Sequence, residues 1–582
     1  MSEVTLSHLS LTNHIWRYEP PAVERIRHFQ LTYNLPLLAA KSLATTNIEI
    51  PLEEWFNPTM QHLHDPFLML GMDKAVERLQ RAIQDEETIL IVTDYDADGT
   101  MSCLVLSSMF NMLKYDRTKI HTHIPSRKEG YGFNPPCVDL AKEKGASLII
   151  TADIGVRDHV AVTLAKKKGI DVIICDHHLP PGESVPQDAY SVLCPPQDGC
   201  TYPNPALAAC GVSFKLAQAL LSKSSLTETS QQKILHAFLK VVAIGTVGDV
   251  VSLATKENRA IVHLGAQSIV NPTLQNRAGF QALLNVSGVT DQVSASDMGF
   301  KLAPRINAAG RMADPNLIYR LFSSTSTEQA RKLAKELDDL NTQRKQVQQE
   351  MVESIIEKIP DEIPNFLVIS GTREEGFHKG VGGIVAARLR DQFHRPVAVA
   401  SGNHEFLTGS IRSIGDVHAV DALDRCQDIL LKYGGHPVAA GFSLRREHLE
   451  EFTKRLNDFV AENTDPEQLI PVRMVQVKCS IDEISFQSVK EFMKMEPFGK
   501  DNYKPLIWLS NVQPRQVQTM GKENTHLRFK LGDHKAVWFG AGEHQTFLQR
   551  NAVDVLVEPD FNRYKGRTTV QLMVQDVRKA KL

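Results

Sequence analysis

The sequence predicts an α/β protein with four parts: a parallel-sheet domain, a long connecting helix, a second α/β domain and a C-terminal β-barrel. Three observations carry this. Between about 60 and 285, short β-branched runs alternate with helical spacing, as in a doubly wound parallel sheet. Near 327 to 358 one apolar stripe repeats at helical intervals. After about 466 the hydrophobic period falls to two.

A chain of 582 residues exceeds what one hydrophobic core supports. The reading divides it into an N-terminal segment (1–50) capping the domain that follows, the parallel-sheet domain (51–285), a linker region with the long helix (286–360), the second α/β domain (361–463) and the barrel (464–582). Composition is globular, with 42% hydrophobic and 23% charged residues. Net charge is −3, so a nucleic acid would have to be met by local basic patches. The first residues lack a basic start followed by an apolar run, and no apolar stretch reaches bilayer length, so a cytoplasmic chain without a membrane partner is expected. The eight cysteines form no C-x-x-C pair, as expected of reduced thiols. Cys194, Cys200 and Cys210, near two histidines, are weighed as an alternative zinc site.

Taken in order, the first domain centres on Thr88-Ile-Leu-Ile-Val-Thr-Asp-Tyr-Asp-Ala-Asp-Gly-Thr100. Its β-branched start reads as a buried strand running into Asp94, Asp96 and Asp98. Gly99 permits a sharp turn, and helical spacing resumes at Met101. Ile120 to Ile124 is a strand. Leu148 to Ala152 is another, ending at Asp153. Val172 to Cys175 is a third, ending at Asp176-His177-His178. Ligands of such sheets bind beyond the carboxyl ends of the strands. Asp94, Asp96, Asp98, Asp153, His177, His178 and Asp249 are therefore candidate metal-site residues, since crowded carboxylates repel unless cations sit among them. Oxygen-rich sites with one or two imidazoles suit Mn²⁺ or Mg²⁺. Five or more carboxylates suffice for two ions, which fits phosphoester hydrolysis.

Thr325 and Glu328 read as a capping box for the long helix, and Pro360 ends it. Its mixed charges suit a connector rather than a nucleic-acid clamp. In the second α/β domain, Phe366 to Ser370 is a strand. Gly376 to Gly383 is a glycine-rich loop entering the helix Ile384 to Phe393, an anion-site pattern that contains His378. Gly434 to Phe442 is a second glycine-rich stretch, holding His436. In the last domain Leu527, Phe529 and Leu531 alternate with polar residues. Further strands are read at Val537 to Phe539, Val553 to Val557 and Thr568 to Val574. Arg563, Tyr564 and Lys565 mix basic and aromatic character, which suits single-stranded nucleic acid.

Asp94-Tyr-Asp-Ala-Asp-Gly99, Asp153-Ile-Gly155, Asp176-His-His178 and Gly245-Thr-Val-Gly-Asp249 resemble, in order, the four motifs of the DHH phosphoesterases. Gly434-Gly-His436 with Ala439-Ala-Gly-Phe442 resembles their DHHA1 partner domain. Arg127-Lys-Glu-Gly-Tyr-Gly132, Leu302-Ala-Pro-Arg-Ile-Asn-Ala-Ala-Gly-Arg311, Gly409-Ser-Ile-Arg412 and Pro497-Phe-Gly499 are similar to signatures of the bacterial RecJ-type exonucleases. The resemblance covers about 85 to 505. It implies a single-stranded-DNA-specific 5′→3′ exonuclease of repair and recombination, with an OB-like C-terminal domain. Single-stranded-DNA-binding protein and repair helicases are the implied partners. Asp94, Asp96, Asp98, Asp153, His177 and Asp249 would surround two ions, Mn²⁺ or Mg²⁺, with Asp153 bridging. His178 would face the scissile phosphate and Asp176 would orient its neighbours. Arg127, Arg305, Arg311, His378, Ser410, Arg412 and His436 would contact phosphate or DNA, with the terminal phosphate gripped between the first and second domains. The chain departs from the family pattern at Ile154, Phe377, Gly382 and Cys194-Pro-Pro196. Two alternatives stand beside this reading: a DHH hydrolase of small substrates, which would need neither the long helix nor the barrel, and a non-catalytic DNA-binding scaffold, which should have lost acidic ligands.

Overall fold

The computed structural model describes residues 9–48, 50–127, 129–130, 132–180, 182, 184–270, 277–290, 292–360 and 362–580, with the side chain of Tyr564 also outside the description. Lys128 and Tyr131 of the Arg127–Gly132 motif, and Lys581, thus lie outside the described residues. The chain forms two compact units. One holds Ile50–Lys345 together with Glu496–Tyr503; the other holds the N-terminal segment, Gln346–Met495 and Lys504 onward.

The first unit is built on a five-stranded, all-parallel sheet in the order Ile120–His123, Ile89–Thr93, Leu148–Ala152, Asp171–Cys175, Ser191–Leu193. The two central strands Ile89–Thr93 and Leu148–Ala152 are buried at every residue. Alternate side chains therefore enter different cores. Ile89, Ile91, Leu148 and Ile150 join Met101, Leu104 and Phe110 of the helix Ala97–Met112. Leu90, Val92, Ile149 and Ile174 join Val138, Ala141, Val162 and Ala165 of the helices Pro135–Glu143 and His159–Lys167. Near-continuous apolar strands are what a sheet covered on both faces demands. The short edge strand Ser191–Leu193 was not read from the sequence, because three residues carry too little periodicity.

The helix Thr327–Ile356 runs through the boundary between the units, which falls at Lys345/Gln346. Its recorded cap lies one residue later than the expected box: the Ser326 hydroxyl accepts from Gln329 N at 3.3 Å. The second unit contains a mixed five-stranded sheet in the order Leu430–His436, Ala439–Arg445, Phe406–Arg412, Val397–Gly402, Leu367–Thr372. It also contains a seven-stranded sheet whose longest pair is the hairpin Val553–Tyr564 and Arg567–Lys579. Lys565 and Gly566 turn that hairpin with φ 48 and 75, the left-handed pair that a two-residue loop needs.

The N-terminal segment, expected to cap the domain that follows it, belongs instead with the seven-stranded sheet. Ile15–Tyr18 pairs in parallel with Val472–Val475. Leu38 is fully buried in the same core as Val477, Ile507 and Val555. The Trp16 indole donates to the buried Asp576 at 2.8 Å. The Arg578 guanidinium lies 4.5 Å from the Trp16 ring and 4.6 Å from the Trp508 ring. A buried carboxylate needs donors, and this segment brings one from outside the sheet.

Candidate active site

The strand Ile89–Thr93 delivers Asp94 at its carboxyl end, and the helix Ala97–Met112 starts on the spot. Asp96 caps that helix, Oδ1 accepting from Asp98 N at 2.8 Å and Gly99 N at 3.1 Å. Gly99 is required there, since a Cβ would stand 2.4 Å from the Asp94 carbonyl oxygen. Asp98 turns inward and is fully buried. Its Oδ2 accepts from Ala209 N at 2.7 Å and its Oδ1 from Cys210 N at 2.9 Å, the opening amides of the helix Ala209–Ser222. Asp153, after the next strand, holds a left-handed φ of 63, which re-aims a carboxylate that a regular strand end would direct elsewhere. Asp249 closes the long helix Glu228–Gly248. Gly245 lets that helix approach: a Cβ would meet Cys210 Sγ at 2.5 Å and Asp98 Oδ1 at 3.1 Å.

These elements bring every expected metal-site residue together. Ligand atoms of Asp94, Asp96 and Asp153 lie within 4.8 Å of one another, as do those of Asp98, His177 and Asp249, and those of Asp153, His177 and His178. His177 Nε2 faces three carboxylate oxygens, 3.3 Å from Asp153, 3.5 Å from Asp249 and 3.9 Å from Asp98. His177 Nε2 and Asp94 Oδ1 are both buried without a hydrogen-bond partner. Burial and then the surrounding carboxylates push Asp94, Asp153 and Asp249 well above the usual carboxylate range, while burial pulls His177 down. Orphaned buried donor atoms among mutually repelling acids fit divalent cations, whose charge reverses that repulsion.

Asp176 stands behind the cluster. Its Oδ1 accepts from His177 N at 2.8 Å and His178 Nδ1 at 2.7 Å, and its Oδ2 from Val156 N at 3.0 Å. Burial alone would raise its pKa. The His178 bond and the two imidazoles overcome that and hold it at about 2. In return, although burial lowers it, His178 ends above the ordinary histidine value through Asp176. The zinc alternative finds no geometry among the described residues. Cys194 Sγ donates to His178 O, Cys210 Sγ donates to Val242 O, and no group that could hold a metal includes them.

The arginines separate into different roles. The Arg127 guanidinium lies 4.3 Å from the Tyr95 ring and donates to Gly310 O at 3.1 Å. Gly310 in turn packs on the Tyr95 carbonyl, so Arg127 and the end of the Leu302–Arg311 motif flank the residue after Asp94. Arg305 is committed internally, to Asp338 Oδ1 at 2.9 Å, Lys301 O at 2.7 Å and Val286 O at 3.2 Å. These bonds anchor it against the helix Thr327–Ile356 through Asp338. Two cations were missed in the sequence. Arg157 holds Leu179 O at 3.0 Å and its charge acts on His178. Lys500 acts on Asp249. Arg157 sits two residues beyond Gly155 and was within reach of the motif reading; Lys500 depends on the return of Glu496–Tyr503 to this unit.

In the second unit, Ser410 and Arg412 lie on the strand Phe406–Arg412 beside the helix Gly382–Phe393. A Cβ on Gly383 would stand 3.0 Å from an Arg412 nitrogen and 3.5 Å from Ser410 Oγ. Burial and the neighbouring Arg390 lower the Arg412 pKa, with no acid contributing. His378 Nδ1 accepts from Gly380 N at 3.1 Å within the glycine loop. His436 lies on the edge strand opposite Ala439. Arg563, Tyr564 and Lys565 sit at the tip of the long hairpin.

A parallel sheet gathering Asp and His ligands at its strand ends, followed by a mixed-sheet domain, defines a DHH-type phosphoesterase. Residues 88–246 match the DHH family N-terminal domain, 364–462 the DHHA1 domain and 475–576 the RecJ OB domain. The single-stranded-DNA-specific exonuclease RecJ of Dickeya dadantii is 33% identical over 94% of this chain and 96% of its own length. The protein of the same name from Bacillus subtilis is 36% identical over 88% of this chain, which spans 64% of that relative's length. The crystal structure of Thermus thermophilus RecJ in complex with Mn²⁺ superposes with a TM-score of 0.82 at 25% identity, covering 98% of this chain and 80% of that one. The chain belongs to the RecJ family. No helix among its described residues is long and apolar enough to cross a membrane.

Proposed function

We propose that this chain is a single-stranded-DNA-specific exonuclease that hydrolyses phosphodiester bonds from the 5′ end. The observation that carries the reading is the pair of orphaned, buried ligand atoms, Asp94 Oδ1 and His177 Nε2, inside a ring of carboxylates. Asp94, Asp96, Asp98, Asp153, His177 and Asp249 would hold two divalent cations, Mn²⁺ or Mg²⁺, with Asp153 shared. Bound there, such a pair supplies an activated water and charge neutralisation at the phosphate. The protein's own groups do the rest. Asp176 fixes the orientation of His178 through Nδ1, and His178 would face the scissile phosphate. Arg127 and Arg311 offer positive charge beside Asp94. Arg412 and Ser410 at a helix N-terminus, with His378 in the loop that enters it and His436 two strands away in the same sheet, suit a terminal phosphate, which a planar guanidinium can hold bidentately.

The seven-stranded OB domain, with Arg563 and Lys565 exposed at a hairpin end beside Tyr564, supports a long single strand over a small substrate. Single-stranded-DNA-binding protein and repair helicases are the partners this reading implies, and the cytoplasm is its compartment, where eight free cysteines are stable. The test is Mn²⁺-dependent nucleotide release from long strands labelled at either end, set against dinucleotides. Release from the 5′ label, on long strands only, is expected. Equal hydrolysis of dinucleotides, or release from the 3′ label first, overturns the reading.

A further inference from the structure

The rim beside Asp249 carries groups to which the reaction above gives no role. Val250 follows the ligand with a left-handed φ of 57 and is 63% exposed. That conformation is strained for a β-branched side chain and persists only where the surroundings impose it. Gly299 packs on the same helix end, where a Cβ would stand 3.4 Å from Val247 Cγ1. Gly299 belongs to a π-helical turn, Met298–Leu302. The turn has a local cause: Pro304 has no N–H to give the carbonyl of Phe300, four residues back, so the helix widens. Phe300 stands on that turn 80% exposed. Lys500 is exposed too, and its carbonyl is fixed by Leu253 N at 2.9 Å, four residues past Asp249. An exposed ring on the turn packed against the helix that ends at Asp249, a strained apolar residue directly after Asp249 and a cation whose charge acts on it are thus gathered around one end of the cluster.

We propose that Phe300, Val250 and Lys500 form a nucleotide-binding rim. Phe300 stacks on an unpaired base of the substrate strand, Val250 supports the edge of that base, and Lys500 neutralises a phosphate next to the one being cleaved. Apolar faces interleaved with positive charge suit single strands, because every free base offers a π-face and every linkage a charge. A base stacked on Phe300 has left its partner strand, so this rim is where unpaired DNA is told from duplex. The proposal rests on the exonuclease reading.

The test compares the wild type with Phe300→Ala and Phe300→Trp on single strands whose leading nucleotides are normal or abasic, with Mn²⁺ affinity and thermal midpoint measured for each. The wild type should favour normal over abasic strands about tenfold in KM. That preference should collapse in Phe300→Ala and return in Phe300→Trp, while Mn²⁺ affinity stays the same in all three. Lys500→Met should reduce the slope of log affinity against log salt by about one. A wild type indifferent to abasic sites, or a Phe300→Ala variant that keeps the preference, overturns the rim while leaving the exonuclease reading intact. A wild type that degrades no strand overturns both.

Discussion

Asp96→Asn separates two roles of one carboxylate. As a cap, Asp96 accepts from Asp98 N and Gly99 N through Oδ1. An asparagine oxygen can accept both bonds, and Asn caps a helix as well as Asp does. What disappears is the charge. Asp94, Asp96 and Asp153 have ligand oxygens within 4.8 Å of one another. Like charges at that separation repel by about 3 kcal/mol at an effective dielectric of 20. Proton uptake by Asp94 and Asp153, whose carboxyls are raised by burial and then by Asp96, relieves part of this. Without metal, Asp96→Asn should therefore be more stable than the wild type, by about 1–2 kcal/mol. Asp96→Ala loses the cap as well and should fall about 1 kcal/mol below the Asn variant. Saturating Mn²⁺ should invert the order, because only the wild type gains fully from ion binding to the native state. Urea unfolding with chelator and with Mn²⁺ reads both signs, and nucleotide release should vanish in both variants. An Asn variant with wild-type Mn²⁺ stabilisation and wild-type hydrolysis would refute the cation site. One that is less stable without metal would refute the repulsion.

Three further predictions follow from named contacts. Arg412→Ala should slow 5′-phosphorylated strands more than 5′-hydroxyl strands, by about 2–3 kcal/mol in transition-state binding; equal slowing of both removes Arg412 from the phosphate site. Lys240 is 1% exposed and burial lowers its pKa to about 8, against 10.5 unfolded, so the native state disfavours its charge. Wild-type stability should rise with pH between those values by about 3 kcal/mol, and Lys240→Met should gain up to that amount at pH 7 and lose the rise, as measured by unfolding across that range. The pair Arg563→Ala and Lys565→Ala should lower the salt slope of long-strand binding by about two; an unchanged slope would show that the hairpin tip holds no phosphate.

The cluster of Asp and His was legible because its chemistry is local: Asp94 and Asp153 directly follow apolar strands, Asp96 and Asp98 open the next helix, Asp176 to His178 follow a third strand and Asp249 closes a helix, and the residue types alone point to a hard cation. The ion pair of Arg305 was hidden for the opposite reason. Nothing near it in sequence announces Asp338, so its internal ion pair emerges only when the two helices meet. The same limit hid the N-terminal pairing, where Ile15–Tyr18 meets Val472–Val475. No periodicity within either stretch names the other. Lys500 was hidden by the return of Glu496–Tyr503, which the buried Arg259 secures by donating to Glu496 O at 2.5 Å.

The Trp16–Asp576 bond joins residues 560 positions apart. On a ribosome adding 5–20 residues per second, that interval is roughly 30–110 s. Throughout it, Trp16, Leu38 and the strand edge Ile15–Tyr18 have been made but their partners have not. The nascent chain thus carries an apolar, unpaired segment throughout that interval. Its correct assembly requires that segment to stay unengaged until Asp576 emerges, and the charged residues Arg17, Glu19 and Glu24 beside it work against premature pairing.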